Sequence, residues 1–134
     1  SNLIEHLHPE DAEEHLRNVL AALKPGGRYL CVTPSRLNGP HDVSYDFGHT
    51  VAAGFHLKEY AYRDIVPLLR SLGFERVGGY VDLKGKIVFR LPGPVLMAFE
   101  RGLDRLPAPL RRRAHKLLIV RAILMVRAVA RKPA

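Results

Sequence analysis

Polar residues suited to chemistry lie in two stretches of this 134-residue chain, residues 2–8 and residues 34–60. In the second stretch, His41 is followed directly by Asp42. This pair could act as a proton acceptor and the carboxylate that orients it. Because adjacent residues seldom face each other in that way, a turn-forming aspartate beside a solvated histidine is an equal alternative. His41 and Asp42 are the catalytic candidates.

The first stretch and the helix after it are rich in histidine and glutamate. The candidate metal ligands considered there are Glu5, His6, His8, Glu14 and His15. A metal site needs ligands that converge on one point, and this spacing alone does not bring them to one. Glu5 and His6 could also cap and orient the helix that follows. We therefore predict no metal site.

A helix and a strand are predicted between these two stretches. Pro9 suits the first position of a helix, and apolar residues then recur every three or four positions up to Leu23. The glycine pair at 26–27 ends this helix. Residues 28–33 are nearly all apolar and β-prone, which predicts a strand buried on both faces of a parallel sheet.

The middle of the chain contains a long irregular segment followed by regular elements. Residues 34–56 are rich in Gly, Pro, Asp and Asn, and a loop of this length is typical of a functional segment. A second amphipathic helix is predicted over residues 62–72, and Pro67 should kink it or delay its start. Residues 74–82 and 86–91 are predicted to form an antiparallel hairpin around Leu83-Lys84-Gly85.

The last third of the chain is basic and is predicted to be helical. Residues 90–134 carry eleven Lys and Arg residues against two acidic ones, so any argument for an anionic partner concerns this segment. A short helix over 95–106 should end at the prolines that follow it, and a longer helix should run over 110–131. Five cations share one side of that helix: Arg113, Lys116, Arg121, Arg127 and Arg131.

Such a helix has three roles to choose from. It could pack as an extra cap on the domain, lie on an anionic membrane through residues 110–132, or contact nucleic-acid phosphates. The chain has no Trp and no aromatic residue after Phe99 to stack on bases, so nucleic acid is the least favoured partner. The cap is the first expectation and membrane contact the second.

Four segments, in chain order, carry a resemblance to a protein family. Residues 2–7 (NLIEHL) are similar to the end of a fourth strand that commonly reads EHL or EHI. Residues 20–33 (LAALKPGGRYLCVT) are similar to a helix, its glycine turn and the fifth strand, and residues 39–42 fall in the loop after that strand. Residues 54–60 (GFHLKEY), with LGF further on, resemble the run before the sixth strand. Together they resemble the C-terminal half of a class I S-adenosylmethionine-dependent methyltransferase.

The resemblance implies a fold, a cofactor and a substrate class. The fold is α/β: a partial Rossmann-like methyltransferase sheet (strands four to seven) with flanking helices over residues 1–92, and a basic helical extension over 93–134. S-adenosylmethionine is the implied cofactor and a small molecule the implied methyl acceptor, with oxygen as the implied methylated atom. Transfer proceeds by in-line attack on the sulfonium methyl, with a base only where the nucleophile must lose a proton.

The family's cofactor motifs are absent from this sequence. In the family a glycine-rich turn after the first strand cradles the cofactor, and an acidic residue after the second strand binds its ribose. No Gly-x-Gly-x-Gly follows a strand here. We therefore expect a fragment of a larger enzyme, inactive alone, that associates with the missing N-terminal half or with a second copy. A monodisperse monomer in sedimentation would contradict this expectation.

Ligands in such folds sit beyond the carboxyl ends of the strands, which locates the remaining candidate residues. The cofactor-binding candidates are Asn2, Leu3, Glu5 and His6, and the substrate-binding candidates are Pro34, Arg36, His56 and Tyr60. Structural hydrogen bonding is an equally good role for His56, Glu59 and Tyr60.

Composition narrows the remaining function classes. The single cysteine, Cys31, excludes a disulfide framework and a cysteine-rich zinc site, and it fits a reducing compartment. We expect a cytoplasmic protein, with peripheral contact to a membrane as the alternative location. The alternative to an enzyme is a non-catalytic α/β association module that uses the basic amphipathic helix to bind a membrane or a partner.

Overall fold

The computed structural model describes residues 2–83 and 86–134. Within these residues, five α-helices accompany one four-stranded sheet and two short 3-10 turns, at Ile4–His6 and Val43–Tyr45. The helices are α1 (Pro9–Ala22), α2 (Tyr62–Ser71), α3 (Gly93–Arg105), α4 (Ala108–Lys116) and α5 (Leu118–Leu124). The strands are β1 (Arg28–Thr33), β2 (Glu75–Leu83), β3 (Lys86–Pro92) and β4 (Val126–Arg131). None of the helices in this part of the chain combines the length and the apolar composition that crossing a bilayer requires.

The sheet has the strand order β1-β4-β2-β3, and every neighbouring pair is antiparallel. Strand β4 lies between β1 and β2, and it pairs with β1 along its whole length, from Arg28 opposite Arg131 to Thr33 opposite Val126. Because β1 and β2 are both antiparallel to β4, they run in the same direction. Helix α2 lies in the connection between them. The fold is thus α/β. Strands β1 and β2 run in the same direction, and β4 lies between them and runs in the opposite direction.

Strand β1 forms where the composition predicts it, but its surroundings differ from the prediction. Its pairing is antiparallel to β4, so the expected parallel neighbour is wrong. Burial on both faces is also wrong: Cys31 and Thr33 are buried, whereas Leu30 is 52% exposed. Cys31 belongs to the main core together with Leu16 of α1 and Ile65 of α2. The described helices cover one face of β1, so its apolar composition overstates its burial.

The predicted long helix over residues 110–131 is wrong. Leu117 and Met125 have extended backbone conformations that separate α4 from α5 and α5 from β4. In β4 the small residues Val126, Ala128 and Ala130 face the core, and the residues between them are half-buried. The five cations are therefore distributed over α4, α5 and β4. They do not form the basic face of one amphipathic helix.

A 3-10 turn replaces the strand end that was predicted at the start of the chain. Residues Ile4–His6 form a 3-10 turn, and the backbone N–H of Asn2 donates to the carbonyl of Val32 at 2.7 Å. Helices α1 and α2 and the break before α4 are confirmed. Pro67 lies inside α2, whose start is not delayed. The antiparallel pairing of β2 with β3 is confirmed, while Lys84 and Gly85 of the predicted turn lie outside the described residues.

Tyr62 joins α2 to the beginning of β4. Its hydroxyl donates to the carbonyl of Met125 at 3.1 Å and accepts from the N–H of Arg127 at 3.0 Å. Burial raises the pKa of Tyr62 to about 12, so the hydroxyl keeps its proton at neutral pH. Two hydrogen bonds therefore connect the first residue of α2 to the start of β4.

Replacing Tyr62 with phenylalanine should lower the free energy of unfolding by about 1–3 kcal/mol, because a buried donor and acceptor lose their partner. The measurement is urea denaturation followed by circular dichroism, with an unchanged m-value. Tyr45, which is 71% exposed, supplies the control variant Tyr45→Phe, for which no change is expected. Equal stability of Tyr62→Phe and the wild type would contradict the role of this hydroxyl.

Candidate functional site

The segment between β1 and α2, residues 34–61, crosses the carboxyl end of β1. Thr33, the last residue of that strand, donates from its hydroxyl to Oε2 of Glu5 at 2.9 Å, and both side chains are buried. At the far end of the segment, the N–H of Arg36 donates to the carbonyl of Tyr60 at 3.2 Å. The segment therefore leaves β1 and returns to the same place before α2 begins.

Residues 4–6 are bound to the second half of this segment. The backbone carbonyl of Glu5 accepts from the N–H groups of Leu57 at 2.7 Å and Lys58 at 3.2 Å. The Nδ1 atom of His6 lies 2.9 Å from the carbonyl oxygen of Phe55. Because a carbonyl oxygen only accepts, Nδ1 of His6 must carry the proton. These contacts bring residues 49 or more positions apart into one cluster.

The carboxylate of Asp42 binds backbone N–H groups of its own loop. Its carboxylate accepts from the backbone N–H groups of Ser44 at 3.0 Å, Gly54 at 2.9 Å and His56 at 3.2 Å. Desolvation opposes ionisation of this carboxyl, but the hydrogen bonds from His56, Ser44 and Gly54 outweigh it and lower the pKa of Asp42. Of the two roles left open for Asp42, the structure therefore supports the turn-forming one over an orienting contact with His41. Asp42 begins the 3-10 turn at Val43–Tyr45 and holds the two sides of the loop together.

Glu59 is the carboxylate that contacts the two loop histidines. Its Oε1 accepts from the backbone N–H of His41 at 2.6 Å and lies 2.8 Å from Nδ1 of His56. Its Oε2 lies 3.4 Å from Nδ1 of His41. Glu59 is buried, whereas the side chain of His41 is partly accessible. A single buried carboxylate thus orients both imidazole rings.

Sequence analysis left structural hydrogen bonding open for Glu59 but did not assign its histidine partners. The local signal was the spacing of His56 and Glu59, three residues apart, which allows a direct contact. The contact between Glu59 and His41 spans eighteen positions and has no local signal.

The structure brings some of the predicted site residues together and leaves others apart. Glu5, His6, His41 and His56 lie in or beside the cluster around Glu59. Arg36 forms an ion pair with Asp64 at 2.7 Å and lines a cavity of about 390 Å³ that also touches Glu59. The remaining candidates lie elsewhere: Asn2 and Leu3 are exposed beside β1, Pro34 is half-buried directly after it, and Tyr60 is in the core.

His41 lines a cavity of about 1040 Å³ between residues 37–45 and the last two helices. Leu37, Leu118 and Met125 contribute apolar surface to it. Its charged lining comes from Lys116, Arg121 and Arg127 and from one carboxylate, that of Asp82. The cavity is at the upper end of the range of about 300–1000 Å³ in which small-molecule sites fall. An accessible imidazole with a carboxylate partner beside such a cavity can accept a proton from a bound molecule.

Comparison with protein-family models, with curated proteins and with solved structures finds no match to this chain. Its function is therefore inferred from the geometry of the site.

Proposed function

We propose that this chain forms the acceptor side of an S-adenosylmethionine-dependent methyltransferase that acts on a small molecule. The observation that supports this most is the position of the histidine and carboxylate cluster at the carboxyl end of β1. In open α/β sheets, ligands bind beyond the carboxyl ends of strands that run in the same direction, as β1 and β2 do. The proposal makes β1 and β2 the fifth and sixth strands of a Rossmann-like sheet, with β4 as a reversed strand between them.

Asn2 and Leu3, beside the carboxyl end of β1, would contribute to one wall of a site for S-adenosylmethionine. When bound, the cofactor supplies the methyl group from its sulfonium. Asn2 and Leu3, together with Tyr29 and Cys31, line a cavity of about 230 Å³ beside β1. This volume is below the range of about 300–1000 Å³ for small-molecule sites. A whole cofactor pocket therefore needs residues from elsewhere, which we propose to be another segment of the enzyme or a second copy of this chain.

The acceptor would occupy the larger cavity that His41 lines. Glu59 orients the imidazole through Nδ1 of His41, which leaves Nε2 to accept the proton of an acceptor hydroxyl. The lining favours an acceptor with an apolar body and an anionic group, because three cations line this cavity against the single carboxylate of Asp82. The chain's own residues thus bind and orient the acceptor and take up its proton.

Titration of the chain with S-adenosylmethionine and with its demethylated product, followed by calorimetry, tests the donor side. Both should bind weakly but saturably. Leu3→Asp places a charge in the donor wall and should weaken binding at least about tenfold, which corresponds to about 1.4 kcal/mol. Leu110→Asp is the matched control, because Leu110 is exposed on α4 and should leave binding unchanged.

The alternative function, an association module, makes the opposite prediction in the same experiment. It predicts no heat with either nucleoside and salt-sensitive co-sedimentation with anionic liposomes. The absence of saturable cofactor binding would therefore overturn the methyltransferase proposal.

In the parent enzyme, His41→Asn should lower kcat by about 10²–10⁴, the usual contribution of a general base. Cofactor affinity should not change, because His41 does not line the donor wall. The measurement is transfer of a labelled methyl group from S-adenosylmethionine into small-molecule extracts. His49→Asn is the control, since His49 is exposed in the same loop. Equal turnover of the two variants would remove His41 from the proposed chemistry.

A further inference from the structure

We propose that Glu5, His6 and His56 form a binding site for a divalent transition-metal ion of the Zn²⁺ type. One carboxylate oxygen of Glu5 and one ring nitrogen of each histidine all lie within 4.8 Å of one another. Two imidazoles and one carboxylate are a ligand set that Zn²⁺ and Fe²⁺ accept with an open position, whereas Mg²⁺ and Ca²⁺ prefer oxygen ligands. The site goes beyond methyl transfer and does not depend on it.

Both histidines are held in the tautomer that a metal ligand needs. Nδ1 of His6 donates to the carbonyl of Phe55 at 2.9 Å, and Nδ1 of His56 donates to the Glu59 carboxylate at 2.8 Å. Each ring therefore keeps the lone pair on Nε2. Metal-binding histidines almost always donate their other N–H to a carbonyl or carboxylate in this manner. The two rings meet edge to face, with their centroids 4.9 Å apart.

Glu5 supplies negative charge where a cation would stabilise it. Its side chain is 1% exposed, and a buried carboxylate is costly unless it is paired. Thr33 donates one hydrogen bond to Oε2. A carboxylate has two oxygens and about four lone-pair sites, so this bond leaves capacity for a metal ion.

The backbone brings the two halves of the site together without a metal. The carbonyl of Glu5 accepts from Leu57 and Lys58, so the turn that carries His6 is attached to the segment that carries His56. Ligand bonds of about 2.0–2.2 Å place neighbouring ligand atoms about 3–3.5 Å apart, so the cluster must contract by roughly an ångström. His6 is exposed, which leaves room for that movement and for a water ligand on the open side.

Calorimetric titration of the chelator-treated chain with Zn²⁺ alone tests this site. One Zn²⁺ ion should bind per chain, and Mg²⁺ should give no saturable heat. His6→Ala and His56→Ala should each weaken Zn²⁺ binding by at least about 100-fold, and Glu59→Gln by about 10–100-fold through loss of the second hydrogen bond. Co²⁺ should give the visible absorption of a low-symmetry site in the wild type and lose it in His56→Ala.

His8→Ala is the matched control, because His8 lies next to the site in sequence, is exposed and is not one of the three ligands. Circular dichroism of the metal-free variants checks that each is folded. Absence of saturable Zn²⁺ binding, or equal losses in His8→Ala and His56→Ala, would overturn the metal site. Because no nucleoside is present, this result is independent of the cofactor titration.

An independent observation concerns another cavity, at the C-terminal end of β4. From it we infer a site for a small amphiphilic phosphate or carboxylate. The cavity has a volume of about 580 Å³. Its floor includes Val77, Pro92 and Val129. Five arginines line it, contributed by all four strands and α2: Arg28, Arg70, Arg76, Arg90 and Arg131.

The arginines of this cavity form no ion pair among the described residues, although Glu75 of β2 lies opposite Arg131 in the sheet. None of the described residues that line the cavity is acidic. Arg76 also has a φ of 48°, in the left-handed region that non-glycine residues rarely adopt. Such strain is concentrated at functional sites, and guanidinium groups bind phosphate and carboxylate in bidentate fashion.

Calorimetry with inorganic phosphate and with monomeric octyl phosphate tests this second site. Octyl phosphate should bind at least about tenfold more tightly, because its chain contacts the apolar floor. Arg76→Gln and Arg90→Gln should each weaken binding about tenfold or more, whereas Arg112→Gln, exposed on α4, should not. Vesicles containing phosphatidylglycerol separate a lipid source from a free ligand by whether the same variants lose vesicle binding. Failure of octyl phosphate to bind, or an equal effect of Arg112→Gln, would overturn the site.

Discussion

Replacing Glu100 with alanine should lower the free energy of unfolding by roughly 3–5 kcal/mol, because two buried N–H groups lose a charged acceptor and a cavity remains. Glu100 lies in α3 and is fully buried. Its Oε1 accepts from the N–H of Tyr62 at 2.8 Å, and its Oε2 accepts from the N–H of Arg63 at 3.0 Å. These are the first two N–H groups of α2, which have no partner within the helix. The carboxylate also lies at the positive end of the helix dipole.

The pH dependence of this effect follows from the burial of Glu100. Desolvation raises the pKa of Glu100 above its ordinary value of 4.5, although the hydrogen bonds from Tyr62 and Arg63 oppose the shift. The folded chain then binds this proton more tightly than the unfolded chain does, so stability contributed by the group is lost as the pH rises. The difference in stability between the wild type and Glu100→Ala should therefore shrink as the pH is raised above 4.5.

Urea denaturation at two pH values measures both effects. Glu100→Gln keeps one acceptor oxygen and should lose about half as much stability as Glu100→Ala. Glu14 is exposed on α1, so Glu14→Ala is the control and should stay within about 0.5 kcal/mol of the wild type. A loss below about 1 kcal/mol for Glu100→Ala would show that α2 does not depend on this cap.

Ala128→Asp should abolish cooperative folding, with a loss of more than about 4 kcal/mol, because it places an unpaired charge in the core. Ala128 faces the core from β4, and its backbone pairs with Cys31 of β1 and with Gly79 of β2. Thermal unfolding followed by circular dichroism is the measurement. The expected result is a broad transition or none.

Val129→Asp is the matched control for Ala128→Asp. Val129 is the next residue of the strand and lines the arginine-rich cavity, so an aspartate there would have cationic neighbours. Its stability should change by about 1 kcal/mol or less. In a helix over 110–131, position 129 would instead be on the apolar side, and the order of the two effects would be reversed. Reversal would therefore contradict the strand.

Segments whose pattern depends on near neighbours were predicted well, and β4 shows where such prediction fails. Helices α1 and α2 follow from apolar residues three and four positions apart, and β2 and β3 follow from two β-prone runs around a glycine turn. Residues 126–131 read Val-Arg-Ala-Val-Ala-Arg, which shows no strict alternation of apolar and polar residues and is rich in helix-forming Ala and Arg. The segment forms a strand and not a helix because β1 and β2 both pair with it.

The candidate site was also predicted only in part. Sequence analysis placed His41, Asp42 and His56 in the loop after a strand, and the structure has them there. It could not pair His41 with Glu59, because this contact spans 18 positions. It also could not place Glu5 and His6 beside the loop, because the contact between Thr33 and Glu5 spans 28 positions and that between His6 and Phe55 spans 49. The convergence of Glu5, His6 and His56, on which the proposed metal site rests, arises from those long-range contacts.

The central position of β4 has a consequence for the order in which the molecule folds. Arg28 and Arg131 are paired in the sheet but lie roughly one hundred residues apart in the chain. On a ribosome, the hairpin of β2 and β3 can form early, whereas β1 and β2 have no strand between them until residues 126–131 emerge. High contact order of this kind slows folding, and the waiting edges of β1 and β2 can pair with other chains. Chaperones that shield such edges during synthesis should therefore raise the yield of native protein.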